Sequence, residues 1–298
     1  MSEDLLTVDH LVVEYPVKGF RSRPFRVLHG VSVSVKPGET LGVVGESGCG
    51  KTTLGRAILG LAPVTQGTIV FDGKDISHAS RKERQTLGQH LQVVFQDPYT
   101  SLNPAMTIGD ILSEPLGIQG IKGSEARARV KVLLDRVKLP VDAMDRLPRE
   151  FSGGQRQRVA IARALALQPK LIICDEPVSA LDLSTQARVL DLFLEIQEAT
   201  GVAYLFVSHD LDVIRHVSHR VAVMYKGEIV EEGDAVQVTG DPQHPYTQRL
   251  WLASPVPDPD RQAEKRERRR ALAESMGSEV AGGGVRGSHP SLVTKRHR

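Results

Sequence analysis

The chain has little of several things, and each shortage removes a class of function. Only two of its 298 residues are cysteines, Cys49 and Cys174. Neither lies at metal-ligand spacing from other candidate ligands, which argues against a disulfide framework or a thiolate metal site and for free thiols in a reducing cytosol. Aromatic residues make up only 4%, too few for a platform on which bases stack. A formal net charge of +2 is too small to imply nucleic-acid binding, and none is expected. No run approaches the ~18 apolar residues that cross a bilayer, and the acidic start Met1-Ser2-Glu3-Asp4 does not read as a signal peptide. The expectation is a soluble protein whose membrane role, if it has one, comes through a partner. At 298 residues there is room for one large domain, or for a core plus an appendage.

What is present centres on Gly45-Glu46-Ser47-Gly48-Cys49-Gly50-Lys51-Thr52, which reads as a phosphate-binding loop. The apolar run Thr40–Val44 before it predicts a buried strand, and Thr53–Leu59 after it has helical spacing. Glycines at these positions let successive backbone N–H groups face β- and γ-phosphates, and the following helix adds its positive end. Lys51 would reach the phosphates as a point charge, and the Thr52 hydroxyl would ligate Mg²⁺. With glycine near roughly 7% of residues, such a pattern arises by chance in about one chain in a hundred of this length. The strand–loop–helix context makes accident rarer still, so this is read as a nucleotide site.

Three further predicted strands end in polar residues. Leu91–Phe95 leads to Gln96, Leu171–Cys174 leads to Asp175 and Glu176, and Val202–Ser208 leads to His209. Each alone has an ordinary explanation as a solvated strand end. In a parallel sheet all three converge on the edge that carries the phosphate loop. There Gln96 can meet Mg²⁺ and the attacking water, Asp175 can partner Mg²⁺, and Glu176 can orient water as a base. Two adjacent carboxylates after a fully apolar strand are costly to bury without cations.

From Tyr99 to about Ala160 helices are predicted over 107–116, 124–137 and 141–146, separated by Gly and Pro breaks. Phe151-Ser152-Gly153-Gly154-Gln155 then opens another helix, with Ser152 as N-cap and glycines baring N–H groups at its positive end. This is either a second anion site or an ordinary Gly-rich cap. At the N-terminus, residues 5–15 predict one or two strands ending at Tyr15, before Pro16. Its ring is equally well read as a packed tyrosine or as a stacking partner for adenine. Residues 18–26 read as a hairpin or loop, 27–35 as a strand, 67–74 as a short strand and a turn, 80–88 and 184–199 as helices, and 221–232 as a closing hairpin.

The order of phosphate loop, Gln96, Phe151–Gln155, Asp175-Glu176, Ser179-Ala180-Leu181-Asp182 and His209 resembles the ATPases of ATP-binding cassette (ABC) transporters, over residues 5–236. The one departure within the motifs is Phe151, where that family more often has Leu. The resemblance implies an α/β fold: a P-loop NTPase core with a RecA-like mixed sheet, an N-terminal antiparallel β subdomain, a helical subdomain and a C-terminal extension. The division expected is 1–98, the β subdomain and first part of the core; 99–160, the helical subdomain; 161–236, the rest of the core; and 237–298, the extension.

It also implies roles. ATP would be held by Gly45, Ser47, Gly48, Cys49, Gly50, Lys51, Thr52 and Thr53, with Tyr15 on the adenine. Mg²⁺ would be held by Thr52, Gln96 and Asp175. Glu176 would be the catalytic carboxylate, His209 would sense the γ-phosphate, and Gln96 would join them. Ser152, Gly153, Gly154 and Gln155 would close over ATP bound by a second ATPase subunit placed head to tail, with Asp182 at that contact. That arrangement explains two anion loops in one domain.

Asp97-Pro98-Tyr99-Thr100-Ser101-Leu102-Asn103-Pro104, His244-Pro245-Tyr246-Thr247 and Pro255-Val256-Pro257-Asp258-Pro259 narrow the resemblance to ATPases of oligopeptide, dipeptide and nickel importers. Such a subunit would sit on the cytoplasmic face of the cell membrane with two permease subunits and, through them, an extracytoplasmic solute-binding protein. No cysteine follows Cys174, so the iron–sulfur segment of some members cannot form. The rival readings are a soluble ABC-type ATPase of translation or DNA repair and a nucleotide switch without turnover. Residues from 258 on carry ten Lys/Arg against six Asp/Glu, a net +4 that leaves −2 for the rest. They are read as a solvated helix followed by a disordered basic tail, with contact to anionic lipid as the sharper alternative. Cys49, near a helix N-terminus, is expected to have a lowered thiol pKa.

Overall fold

In the computed structural model, residues 4–17, 24–97 and 101–253 are described. Pro98-Tyr99-Thr100, the predicted loop at 18–23, the proline-rich stretch at 255–259 and the charged tail lie outside them. The chain divides into two units, Met1–Gln248 and Arg249–Arg298. The site lies wholly in the first.

The strands are β1 (Leu6–Tyr15), β2 (Phe25–Val35), β3 (Thr40–Val44), β4 (Gln66–Phe71), β5 (Lys74–Asp75), β6 (Leu91–Val94), β7 (Leu171–Asp175), β8 (Ala203–Ser208), β9 (Arg220–Tyr225) and β10 (Glu228–Asp234). The helices are α1 (Lys51–Leu59), α2 (Arg81–Leu87), α3 (Ile108–Ile118), α4 (Gly123–Arg136), α5 (Gly153–Leu165), α6 (Leu183–Thr200), α7 (Leu211–Val217), α8 (Ala235–Gly240) and α9 (Pro245–Ala253). Most lie within a residue or two of the predicted bounds. The segment predicted as a helix over 141–146 is a 3-10 turn, Val141–Asp145.

Two sheets result. One is antiparallel, in the order β2-β1-β4-β5. The other runs β10-β9-β3-β8-β7-β6, with β6, β7, β8, β3 and β9 parallel and β10 antiparallel at the edge. β1 is a single strand, broken in register between Asp9 and Val12, with His10 at φ 48. Gly67 on the neighbouring strand accommodates the bulge, because a Cβ there would come within 2.4 Å of the His10 carbonyl oxygen.

Every residue of β3 and β8 is buried, and only Asp175 of β7 is less than buried. Period-two alternation divides their side chains between two cores. Leu41, Val43, Leu171, Ile173, Leu205, Val207, Ala222 and Met224 join α1 and the antiparallel sheet in one cluster. On the opposite face, Phe193 of α6 meets Tyr204 and Phe206 edge to face, with ring centroids 5.4 Å apart in each pair.

Helices α3 and α4, which lie between β6 and α5 in the chain, pack on each other and on α5. α5 runs unbroken past residue 160 and packs on both this helical group and β6. The expected divisions at 160 and 236 therefore fall inside helices α5 and α8 rather than at element ends.

Phe193 is 1% exposed and anchors the second core. Phe193→Ala is expected to cost about 3–5 kcal/mol of unfolding free energy, read from the midpoint of urea denaturation.

Candidate functional site

The phosphate loop leaves β3 and enters α1. Gly48 and Gly50 hold φ of 82 and 115, conformations that glycine adopts without strain. No side chain caps α1, so its first N–H groups are open to an anion. Lys51, 4% exposed, donates from Nζ to the carbonyl oxygens of Gly45 at 2.7 Å and Glu46 at 3.0 Å. Its ammonium thus sits inside the loop that its own backbone forms.

The Thr52 hydroxyl donates to Asp175 Oδ1 at 2.9 Å, which ties the start of α1 to the end of β7. Burial raises the Asp175 carboxyl above the usual carboxylate range, while the Thr52 hydrogen bond works the other way. The donors paired here are a hydroxyl and a carboxylate. Such a hard oxygen set fits Mg²⁺. Among the described residues, no group of three or more His, Cys, Asp or Glu side chains could hold a metal ion alone.

The three other strand ends do meet. Gln96 Nε2 donates to Glu176 Oε2 and to the Ser179 hydroxyl, each at 3.2 Å. His209 Nδ1 lies 3.1 Å from the same Glu176 oxygen. The registers explain this, because Val94 aligns with Cys174 and Asp175 with Val207. Their strands therefore end at one level. Glu176 has φ 49, and its N–H donates to the Val207 carbonyl at 2.9 Å. This turn brings its carboxylate, 15% exposed, in beside the half-exposed His209.

The second glycine loop is a capping box. The Ser152 hydroxyl accepts from the Gln155 N–H, and the Gln155 side-chain oxygen accepts from the Ser152 N–H at 2.9 Å. Phe151 is buried, in keeping with an apolar packing role. Gly153 is partly exposed, whereas Gly154 is buried. A Cβ at Gly154 would lie 2.2 Å from Thr185 Cγ2, so this glycine is needed for close packing on α6, beyond any baring of N–H groups.

Asp182 is the N-cap of α6, accepting from the Ser184 hydroxyl at 2.7 Å and the Thr185 N–H at 3.0 Å. These bonds, the Ser184 hydroxyl first, hold its carboxyl at about 2. The sequence placed Asp182 only at an intersubunit contact; within the chain its carboxylate is already a cap. Tyr15, half-buried at the end of β1, packs against the first core.

Two contacts were missed in the sequence. Ser179 belonged to a motif but to no site, yet it shares the Gln96 amide with Glu176. Tyr246 marked only a subgroup, yet its hydroxyl accepts from the Glu46 N–H at 3.0 Å.

A phosphate loop after a buried strand, with Gln, Asp-Glu and His at the ends of its parallel neighbours, defines an α/β domain of the P-loop nucleotide-hydrolase class. The chain belongs to the ABC transporter family, whose pattern matches residues 28–179. It is 50% identical over 265 residues to the glutathione import ATP-binding protein GsiA of Pectobacterium atrosepticum, covering 87% of this chain and 42% of that protein. The GsiA protein of Shigella flexneri is likewise 50% identical over 269 residues, 89% of this chain and 43% of that one. The chain thus spans less than half the length of these relatives.

Among solved structures, it is similar to cbiO1 of Clostridium perfringens, described as part of the ABC transporter complex cbiONQ. That match has a TM-score of 0.70 and 30% identity over 80% of this chain and 92% of that one. A dimeric post-hydrolysis state of the ATP-binding cassette MJ0796, bound to ADP and Pi, matches with a TM-score of 0.69 and 28% identity, over 77% and 98% of the two chains.

The expected lowering of the Cys49 thiol pKa is overturned. Cys49 is 7% exposed, and burial pushes the thiol up, outweighing the nearby Lys51 ammonium, whose Nζ is 3.9 Å from Sγ. Iodoacetamide at neutral pH should therefore modify Cys49 at least about tenfold more slowly than a solvated thiol, until the chain is unfolded in urea. Rapid labelling of the native protein would contradict this.

Proposed function

We propose that the chain is the ATP-hydrolysing subunit of an ABC importer for peptide-like solutes, glutathione among them. The observation that carries the chemistry is the contact of Gln96, Glu176 and His209 beside the Thr52–Asp175 pair at the mouth of the phosphate loop. In this reading Gly45, Ser47, Gly48, Cys49, Gly50 and Thr53 line the loop around ATP, and Lys51 exchanges backbone carbonyls for the β- and γ-phosphates. Mg²⁺ supplies charge neutralisation of those phosphates when bound by Thr52, Asp175 and Gln96. The Gln96 NH₂ is engaged by Glu176 and Ser179, so its Oε1 serves as the ligand.

Glu176 accepts a proton from the attacking water while orienting it in line with the γ-phosphate. His209, on the same carboxylate oxygen, holds Glu176 in place and reports the γ-phosphate. Tyr15 stacks on the adenine.

The dimeric neighbour with ADP and Pi supports a head-to-tail pair in which Ser152, Gly153, Gly154 and Gln155 close over the partner's ATP. Asp182 then stiffens that face through its cap. ATP would close the pair and hydrolysis release it. The helical group at 99–160 would pass the motion to two permease subunits, fed by an extracytoplasmic solute-binding protein, on the cytoplasmic face of the cell membrane. No described helix is long and apolar enough to cross a membrane, so attachment would be through those permeases. The names of the relatives favour import over a soluble role in translation or repair.

Glu176→Gln tests the reading. It keeps the shape and the contacts with Gln96 while removing the base, so kcat should fall by about 10²–10⁴-fold. ATP binding should persist, with a dimer stable to size-exclusion chromatography in ATP. Unchanged turnover would remove Glu176 from the catalytic role.

A further inference from the structure

One peptide unit of the phosphate loop is gripped at both ends. The Glu46 N–H donates to the Tyr246 hydroxyl at 3.0 Å. The Gly45 carbonyl, the other half of the same amide plane, accepts from Lys51 Nζ at 2.7 Å. A trans peptide directs its N–H and C=O oppositely, so whatever fixes one fixes the other. Tyr246 thereby determines that the Gly45 carbonyl faces the lysine.

Tyr246 is itself rigidly held. It is 2% exposed and its ring lies against Tyr225 with centroids 4.1 Å apart. Its approach is set by Glu231 of β10, whose two carboxylate oxygens accept the N–H groups of Gln243 at 2.8 Å and His244 at 3.0 Å. His244 Nδ1 in turn accepts the Tyr246 N–H at 3.1 Å. The same hairpin meets the loop twice more. The Gly227 N–H donates to the Cys49 carbonyl at 2.9 Å, and a Cβ on Gly45 would lie 2.1 Å from the Met224 carbonyl oxygen. A continuous line of contacts therefore runs from β10 through residues 243–246 to the phosphate loop.

We propose that Tyr246 is a positioning residue for the nucleotide: by holding the Gly45–Glu46 peptide it presets the loop around Lys51. On this account, residues 243–246 belong to the nucleotide site although they follow the last strand of the core. The inference rests on the reading of that loop as an ATP site and adds a residue outside the motifs that define it. Preorganisation of this kind strengthens binding by removing the cost of ordering the loop when ligand arrives.

Tyr246→Phe separates the hydroxyl from the ring, keeping the burial and the stack on Tyr225. The Glu46 N–H then loses its acceptor. The expected result is an ATP Kd and KM raised about fivefold, kcat within about twofold of the parent, and faster hydrogen exchange at the Glu46 amide. Glu231→Ala, which frees the Gln243 and His244 N–H groups, should move KM and exchange in the same direction without touching Tyr246. It also provides a test should Tyr246→Phe fold poorly.

Unchanged KM and unchanged exchange in both variants, in a parent that hydrolyses ATP, would overturn the inference and leave the ATPase reading standing. A lowered melting temperature with KM unmoved would also overturn it, as the mark of a merely structural role, and so would a loss confined to kcat. A parent chain that neither binds nor hydrolyses ATP would overturn the reading itself, and this inference with it.

Discussion

The structure depends on an ammonium kept out of water. Lys51 is 4% exposed, and a buried cation is costly unless acceptors surround it. The Gly45 and Glu46 carbonyls supply those acceptors, which requires the loop to bend back over the first turn of α1. Gly48 and Gly50 permit that bend. Across the mouth of the loop, Asp175 is held in the opposite predicament, a carboxylate whose burial favours its proton. The magnesium–nucleotide complex proposed for this site would answer both at once, with phosphate oxygens for the lysine and a cation for the aspartate.

The parallel sheet makes this arrangement possible by stopping its strands at a common level. β3 ends in the loop, β7 in Asp175 and Glu176, and β8 at Ser208 before His209, each in register with its neighbour. Residues that close these strands are dictated by burial up to the last position and by chemistry just beyond it. The Glu176 backbone, at positive φ, is a local expense of order 1–3 kcal/mol. It is sustained by its N–H bond to Val207 and places the carboxylate where Gln96 and His209 can both reach it.

Much of this was readable in the sequence because the determinants are local. Apolar runs marked the buried strands, Ser152 announced its cap, and the polar residues after three strands pointed to one edge. What could not be read depends on contacts distant in sequence. Cys49 was placed correctly in the loop but misjudged chemically, since helix position is visible in sequence and burial beneath a folded loop is not. Gly154 looked like a donor of bare N–H groups, yet Thr185, 31 positions later, is what forbids a side chain there. The Tyr246 bond to Glu46 spans 200 residues, and no periodicity or spacing could signal it. Nor does the sequence show that α5 serves both the helical group and the sheet without a break at 160.

The loop from Gly45 to Thr52 is proposed to bind a triphosphate through Lys51. Calorimetric titration of the parent chain and of Lys51→Ala with ATP and Mg²⁺ tests it most directly. Saturable binding by the parent, weakened at least about tenfold without the ammonium, is the result this account predicts. Equal affinity in the two proteins would contradict it, because the charge around which the loop is folded would then have no part in holding the ligand.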